Sequence, residues 1–113
     1  MHYYPYRYYY SPYTGRTYQS TNNRVISSFS MEEAKAIALL LGIDFSTSPF
    51  SLYEFWSGVN TELEHGKRSP QTNVTGDDPL LTGKIALAHL NEFPDYYQRL
   101  KKLEDEAKAF WGK

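Results

Sequence analysis

The sequence contains no cysteine among its 113 residues. A chain without cysteine has no disulfide framework, no thiolate nucleophile and no cysteine-based zinc site. Long apolar runs are also missing, because no stretch approaches the roughly 20 apolar residues that span a bilayer. The first residues lack the apolar segment of a secretory signal. We therefore predict a protein that is made in the cytoplasm and has no membrane partner.

Acidic residues are absent from the first 24 positions, which carry three arginines and hence a charge of +3. The remaining residues carry nine basic and 13 acidic side chains, a charge of −4. Tyrosine follows the same division, since eight of the eleven tyrosines lie within the first 18 residues. We therefore predict two parts, a basic and Tyr-rich arm over 1–28 and a domain over 29–113.

The arm shows neither a helical nor a sustained strand period, and Pro5, Pro12 and Gly15 interrupt it. We therefore predict an irregular, extended segment without a helix or paired strands. Tyrosine offers a large contact area with few rotatable bonds and a hydroxyl that tolerates water. This composition indicates docking on a partner protein or on neighbouring copies. The candidate docking residues are Tyr3, Tyr4, Tyr6, Arg7, Tyr8, Tyr9, Tyr10, Tyr13, Arg16 and Tyr18.

Two other roles for the arm stay open. It could be a flexible tail, or its tyrosines could stack on the bases of single-stranded nucleic acid. Three arginines without a lysine cluster form only a weak phosphate-binding pattern. Protein docking is therefore preferred over nucleic-acid binding.

Two capping boxes mark the first two helices, because a serine precedes a glutamate by three residues in each. A glycine follows each apolar stripe and is interpreted as the residue that ends the helix. The boxes are Ser30 with Glu33 and Ser51 with Glu54, the glycines are Gly42 and Gly66, and the predicted helices cover 31–41 and 52–65.

The third helix is predicted to begin at Pro79, with Asp78 as its cap, and to end near Glu92 because Pro94 stops it. Gly83 within it is interpreted as allowing close packing of a neighbouring helix or of Trp56. Its predicted apolar face comprises Leu80, Leu81, Ile85, Leu87, Ala88 and Leu90.

The fourth helix is predicted over 94–111, with Pro94 at its favoured first position. Its apolar residues recur at helical spacing and are Tyr96, Leu100, Leu103, Ala107, Phe110 and Trp111. Four amphipathic helices joined by loops predict an all-α fold, a small four-helix bundle preceded by the irregular arm.

Motifs of known enzymes are missing. The chain has no Gly-x-Ser-x-Gly nucleophile elbow, and Thr82-Gly83-Lys84 lacks the glycine spacing of a phosphate loop. The favoured expectation is therefore a protein that is not an enzyme and needs no cofactor.

Two histidines do have a carboxylate one helical turn away. Glu62 with His65, and His89 with Glu92, are three residues apart and so share a helix face. If the pairs met, they would form a site for a divalent transition metal, as in helical carboxylate-bridged metal proteins. Glu64 or Asp95 could complete the shell. This alternative predicts a metal-binding domain, with an enzyme as one form of it.

The same pairs can also be interpreted as purely structural. A histidine in the last turn of a helix is favoured by the helix dipole, and His89 would fit a core position with a backbone partner. Both pairs lie at helix C-termini, so antiparallel neighbouring helices would hold them apart. The long polar loop over 67–77 is the one feature that could return the chain and bring them together.

Residues 29–111 resemble an uncharacterised family of small helical domains of bacteria and bacteriophages, a domain of unknown function. The resemblance implies a bacterial or phage setting and no activity, and the arm lies outside it. The motifs that carry it are Phe-Ser-Met-Glu-Glu-Ala (29–34), Leu-Leu-Gly-Ile (40–43), Glu-Leu-Glu-His-Gly (62–66), Thr-Asn-Val-Thr-Gly-Asp-Asp-Pro (72–79) and the run from Gly83 to Tyr97.

The first functional hypothesis is a structural or interaction protein whose arm docks within a larger assembly, such as a phage particle. The second is the metal-binding domain, and the third is single-stranded nucleic-acid binding through the arm.

Overall fold

A computed structural model of the protein describes residues 8–11, 16–19 and 27–112, and for the first two segments it describes only the backbone. The domain is built from four helices, which confirms the all-α prediction. They are α1 (Met31–Leu40), α2 (Leu52–Lys67), α3 (Pro79–Glu92) and α4 (Tyr96–Trp111). No helix of the described residues is both long and apolar enough to cross a membrane.

The arm contains two short strands, β1 (Tyr8–Ser11) and β2 (Arg16–Gln19). They pair antiparallel, with Tyr8 opposite Gln19 and Ser11 opposite Arg16. The sequence pattern predicted no paired strands here, so the hairpin departs from that prediction. Aromatic residues and threonine have a high strand propensity, which does not require an alternating apolar period. Of the rest of the predicted arm, residues 27 and 28 are described and have no regular secondary structure, and the others lie outside the described residues.

The predicted helix starts are confirmed at three of the four helices. Both capping boxes form, with the serine oxygen of each accepting the N–H of the glutamate three residues later. In turn, the glutamate carboxylates accept hydrogen bonds from the serine N–H groups at 2.8 Å and 2.7 Å. Asp78 caps α3 by accepting the N–H of Leu80 at 2.9 Å. Local side-chain chemistry thus sets where these helices begin.

Two predicted boundaries are wrong. Gly66 does not end α2, which continues to Lys67, and a Cβ on Gly66 would come within 3.1 Å of the Asn73 side chain. The glycine is there because the following loop folds back over the helix. α4 begins at Tyr96 rather than at Pro94, because Pro94 and Asp95 form a turn and the Asp95 carboxylate binds Arg99 at 2.9 Å instead of capping the helix.

The core lies between α1, α2 and α3, and α2 packs against each of the other helices. Phe55, Val59 and Leu63 of α2 are its centre, and all are at most 1% exposed. Phe29, just before α1, is also buried, and its backbone binds the side chains of Trp56 and Asn60. Phe29 therefore fixes the point at which the arm joins the domain.

The predicted apolar face of α3 is partly wrong. Leu90 is buried, but Ala88 is exposed, and Leu81 and Ile85 are only partly buried. The face that packs most closely consists instead of Thr82, Gly83 and Ala86. Small residues occupy it because α1 approaches closely.

The interpretation of Gly83 as a close-packing residue is confirmed for the neighbouring helix. A Cβ there would lie 2.5 Å from Cγ2 of Ile37 and 3.1 Å from Cδ1 of Leu41. The alternative contact with Trp56 is not among the nearest atoms; the nearest ring is that of Phe55, at 3.6 Å. Thr82 tolerates full burial because its hydroxyl donates to the carbonyl oxygen of Asp78 at 2.7 Å.

Candidate functional site

A polar network connects α2, α3 and α4, and Glu62 of α2 is at its centre. The Glu62 side chain is 11% exposed, and the Tyr97 hydroxyl of α4 donates a 2.7 Å hydrogen bond to its Oε2. A carboxylate so poorly hydrated needs polar partners from the protein, because an unpaired charge is costly away from water. Glu62 therefore ties α4 to α2.

His65 lies one turn beyond Glu62 on the same face of α2. Its Nδ1 is 3.9 Å from Glu62 Oε1, and its Nε2 is 2.6 Å from Oε2 of Glu104 in α4. Arg68 approaches the same Glu104 oxygen at 4.0 Å and Glu64 at 3.5 Å. His65 is thus a second connection between α2 and α4, two turns further along α4 than Tyr97.

His89 brings α3 into the network. Its Nε2 is 3.7 Å from Glu62 Oε2, and its Nδ1 is 3.3 Å from Glu92 Oε1. The imidazole stacks on the Tyr96 ring, with 4.2 Å between ring centroids and 11° between the planes. His89 therefore meets a carboxylate at each nitrogen and an aromatic face on its side.

Tyr97 is the most buried polar side chain of the site. Burial first, and then the hydrogen bond to Glu62 and its charge, raise the pKa of Tyr97 above the usual value for tyrosine. Burial and the charges of Glu62 and Glu92 also raise the pKa of Tyr96. Gly58 makes room for Tyr97, because a Cβ at position 58 would lie 2.6 Å from Cε2 of the tyrosine ring.

The two predicted histidine–carboxylate pairs do meet. Glu62 lies between His65 and His89, so the separation expected for antiparallel helices does not occur. Glu92 is at the rim, with 67% of its side chain exposed. Glu64 and Asp95, predicted to complete a metal shell, pair with Arg68 and Arg99 rather than with either histidine.

The sequence reasoning missed Tyr97 and Glu104. A signal for them exists, because residues 97 and 104 are seven positions apart and so share one face of α4, next to its apolar stripe. A tyrosine and a glutamate on that edge are suited to a carboxylate and an imidazole on a neighbouring helix. That the neighbour is α2, at Glu62 and His65, follows only from the packing.

The hypothesis that these residues hold a metal ion stays a prediction. Within the part of the chain that the structure describes, no group of three or more histidine, aspartate or glutamate side chains is arranged to hold a metal ion. Instead, Glu62 accepts the Tyr97 hydroxyl, and His65 faces Glu104. No buried side-chain nitrogen or oxygen of the described residues lacks a hydrogen-bond partner. The arrangement holds three helices together.

The predicted docking residues of the arm divide into two groups. The first lies in the strands, where the backbone alone is described, and the second lies outside the described residues, so the docking prediction stays a prediction. The first group is Tyr8, Tyr9, Tyr10, Arg16 and Tyr18, and the second is Tyr3, Tyr4, Tyr6, Arg7 and Tyr13.

A second surface of interest is the outer half of α4, residues 101–111. Every residue from Lys101 to Gly112 is exposed except Glu104, which is partly buried. Leu103, Phe110 and Trp111, which we call the exposed face of α4, are 60%, 78% and 71% exposed. Large apolar side chains grouped in this way are typical of a surface that binds another protein.

Comparison with known proteins gives a family and no activity. A family model described as "Protein of unknown function (DUF5661)" matches residues 34–106. No curated protein and no solved structure matches the chain significantly. The matched residues cover all of α2 and α3 and most of α1 and α4, so the family match coincides with the helical domain. The chain therefore belongs to the DUF5661 family.

Proposed function

We propose that this DUF5661 protein is a non-enzymatic interaction protein, which docks through its Tyr-rich arm onto a partner or onto neighbouring copies in a larger assembly. A phage particle is the setting that we propose for that assembly, with the protein made in the cytoplasm and then incorporated. The observation that carries the proposal is the exposed face of α4. When another surface covers three large apolar side chains that a folded helix exposes to solvent, the free energy of the system falls.

The arm supports the same proposal from its composition. Its tyrosines provide apolar area and hydroxyl groups that suit a partly wet interface, and its arginines favour acidic partners. The arm joins the domain at Phe29, which is buried and bonded to Trp56 and Asn60. The arm is therefore joined to the domain next to a residue that is anchored in the core.

The polar network supports a structural rather than a catalytic role for its own residues. All four imidazole nitrogens of His65 and His89 lie within 3.9 Å of a carboxylate oxygen. Each group thus already has a partner within the domain, and the partners belong to three different helices. Such a network stabilises one arrangement of the helices.

The experiment compares the full chain with a version that begins at Ser28, by sedimentation velocity over a range of concentrations. Beginning at Ser28 keeps Phe29 and its bonds to α2. We expect the two chains to have the same helical circular dichroism. We expect only the full chain to form complexes, either with other copies of itself or with a partner protein. Equal association of both chains with unchanged helicity would contradict the proposal.

A further inference from the structure

The exposed face of α4 has the residue spacing of a helix that packs against a second element along its whole length. Positions 96, 100, 103, 107 and 110 alternate steps of four and three, which is the pattern of a packed helical seam. Tyr96 and Leu100 at its start pack against the core of their own domain. The same seam continues past Leu100 without a partner in the domain, so a partner from outside would extend an existing line of contacts.

The charges beside this seam restrict the partner. Glu104 and Glu106 flank it on opposite sides, at the positions where a packed helix meets the charges of its partner. A second α4 paired antiparallel and centred near residue 105 would bring glutamate against glutamate on both flanks, which is unfavourable. The surface instead suits a segment that is aromatic and basic and contains no acid.

The arm of this chain has that composition. Its first 24 residues hold eight tyrosines and three arginines and no aspartate or glutamate. The hairpin of β1 and β2 within it is also an element that needs support, because a two-stranded hairpin alone is marginally stable and gains stability when it packs against a helix. The hairpin can therefore cover the exposed face of α4, and the helix can support the hairpin.

The position of Phe29 favours docking of the arm on another chain rather than on its own α4. Phe29 is bonded to residues 56 and 60 of α2, whereas α4 contacts residues 58, 62 and 65. These two sets lie on opposite faces of α2. The point at which the arm joins the domain therefore lies on the face of α2 away from α4, which favours docking on another chain.

We propose that the exposed face of α4 in one chain is the docking site for the Tyr-rich arm of a neighbouring chain. The inference rests on the proposed function and names the partner surface. Because each chain offers one arm and one face, the contact runs from chain to chain, and it produces a ring or an open filament. Docking buries Leu103, Phe110 and Trp111 and places an arginine of the arm beside the exposed Glu106, whereas Glu104 keeps its partners His65 and Arg68.

The test uses three full-length variants. The face variant carries Leu103→Ser and Phe110→Ser, and the arm variant carries Tyr8→Ser, Tyr9→Ser, Tyr10→Ser and Tyr18→Ser. The control variant carries Leu39→Ser and Leu40→Ser in α1, where the side chains are 78% and 56% exposed, close to the 60% and 78% of the face residues. Circular dichroism verifies that each variant keeps its helices, and sedimentation velocity measures association.

We expect the control to associate as the unchanged chain does, and the face and arm variants each to associate at least about tenfold more weakly, because aromatic anchors dominate interface energies. A mixture of the two weakened variants is expected to form heterodimers, since one supplies an intact arm and the other an intact face. Recovery in the mixture distinguishes arm-to-face docking from arm-to-arm and face-to-face contacts.

Three results would overturn the inference. If the face variant associates normally while the arm variant does not, the arm docks elsewhere and the proposed function stands. If the arm variant associates normally, both the inference and the proposed role of the arm fail. If the unchanged chain is a monomer at all concentrations, the arm does not dock on the α4 of a neighbouring copy, and the inference fails while docking on a different protein stays open to test.

Discussion

The two halves of α4 carry the same apolar repeat and differ in what covers it. In the first half, Tyr97 is 8% exposed and packs against Gly58, with Tyr96 and Leu100 against the core. In the second half, Leu103 and Phe110 are 60% and 78% exposed. Because the pattern is continuous and the burial is not, the repeat specifies a helix with a face for packing, and the rest of the molecule decides whether that face is covered.

The polar network marks the border between the two halves. Tyr97 binds Glu62 at 2.7 Å on the packed side, and Glu104 binds His65 at 2.6 Å where the outer half begins. Both bonds attach α4 to α2. The network therefore holds the outer half in a fixed direction while leaving its apolar side chains available.

The largest effect is expected from a leucine of the packed region. Leu90→Ala removes a side chain that is 1% exposed, and we expect a loss of about 2–5 kcal/mol in the free energy of unfolding, measured by urea denaturation. Leu103→Ala makes the same chemical change at a site that is 60% exposed, and we expect a change within about 0.5 kcal/mol. Equal losses for the two variants would mean that the outer half is also packed in the isolated chain.

A smaller loss is expected for Tyr97→Phe. The change keeps the ring and removes the hydroxyl that bonds to Glu62, leaving a poorly hydrated carboxylate without that donor. We expect a loss of about 1–3 kcal/mol in the free energy of unfolding. Tyr53→Phe is the matched control, because Tyr53 is 61% exposed. A loss at Tyr53 as large as that at Tyr97 would contradict the role of the hydrogen bond.

The raised pKa of Tyr97 gives a pH dependence with a definite sign. Because the folded state favours the neutral phenol, this contribution to stability is complete below the unfolded pKa of about 10 and declines as the pH rises above it. We expect the free energy of unfolding, measured by urea denaturation, to decline by up to about 1.4 kcal/mol per pH unit between pH 10 and 11. The Tyr97→Phe variant is expected to lose less stability over that range, since lysine titration is common to both chains. Parallel declines would exclude Tyr97 as the cause.

The smallest effect is expected for Glu104→Gln, at the border of the two halves. Its side chain is 31% exposed, so the weakened contacts with His65 and Arg68 are expected to cost less than about 1 kcal/mol. Amide hydrogen exchange is expected to become faster in 101–111 and to stay unchanged in α2. Asp105→Asn, which affects only the exposed pair with Lys101, is the control and is expected to leave exchange as it is.

The helices themselves were predictable because their signals are local. The serine and glutamate of each capping box are three residues apart, so they meet as soon as one turn forms. Asp78 and Pro79 act in the same way at α3. The boundary errors at Gly66 and Pro94 arose where a distant segment, or a side chain with another partner, changed the local preference.

The candidate site was predictable only in its parts. The pairs Glu62 with His65 and His89 with Glu92 follow from spacing, and the structure joins them through Glu62. The hydrogen bond from the Tyr97 hydroxyl to Glu62 could not be predicted, because residues 62 and 97 are 35 positions apart. The buried face of α3 was misjudged for the same reason, since the closeness of Ile37 to Gly83 favours small residues there.

The sequence by itself determined that the chain has four helices, where three of them begin, and that a basic arm rich in tyrosine precedes an acidic domain. These properties depend on residues within a turn of one another or on composition. Only the tertiary structure decided that α2 contacts the other three helices, that Glu62 lies between two histidines, and that the apolar stripe of α4 is covered as far as Leu100 and bare beyond it. Burial depends on which distant surfaces meet, and a repeat along one helix carries no information about its partner.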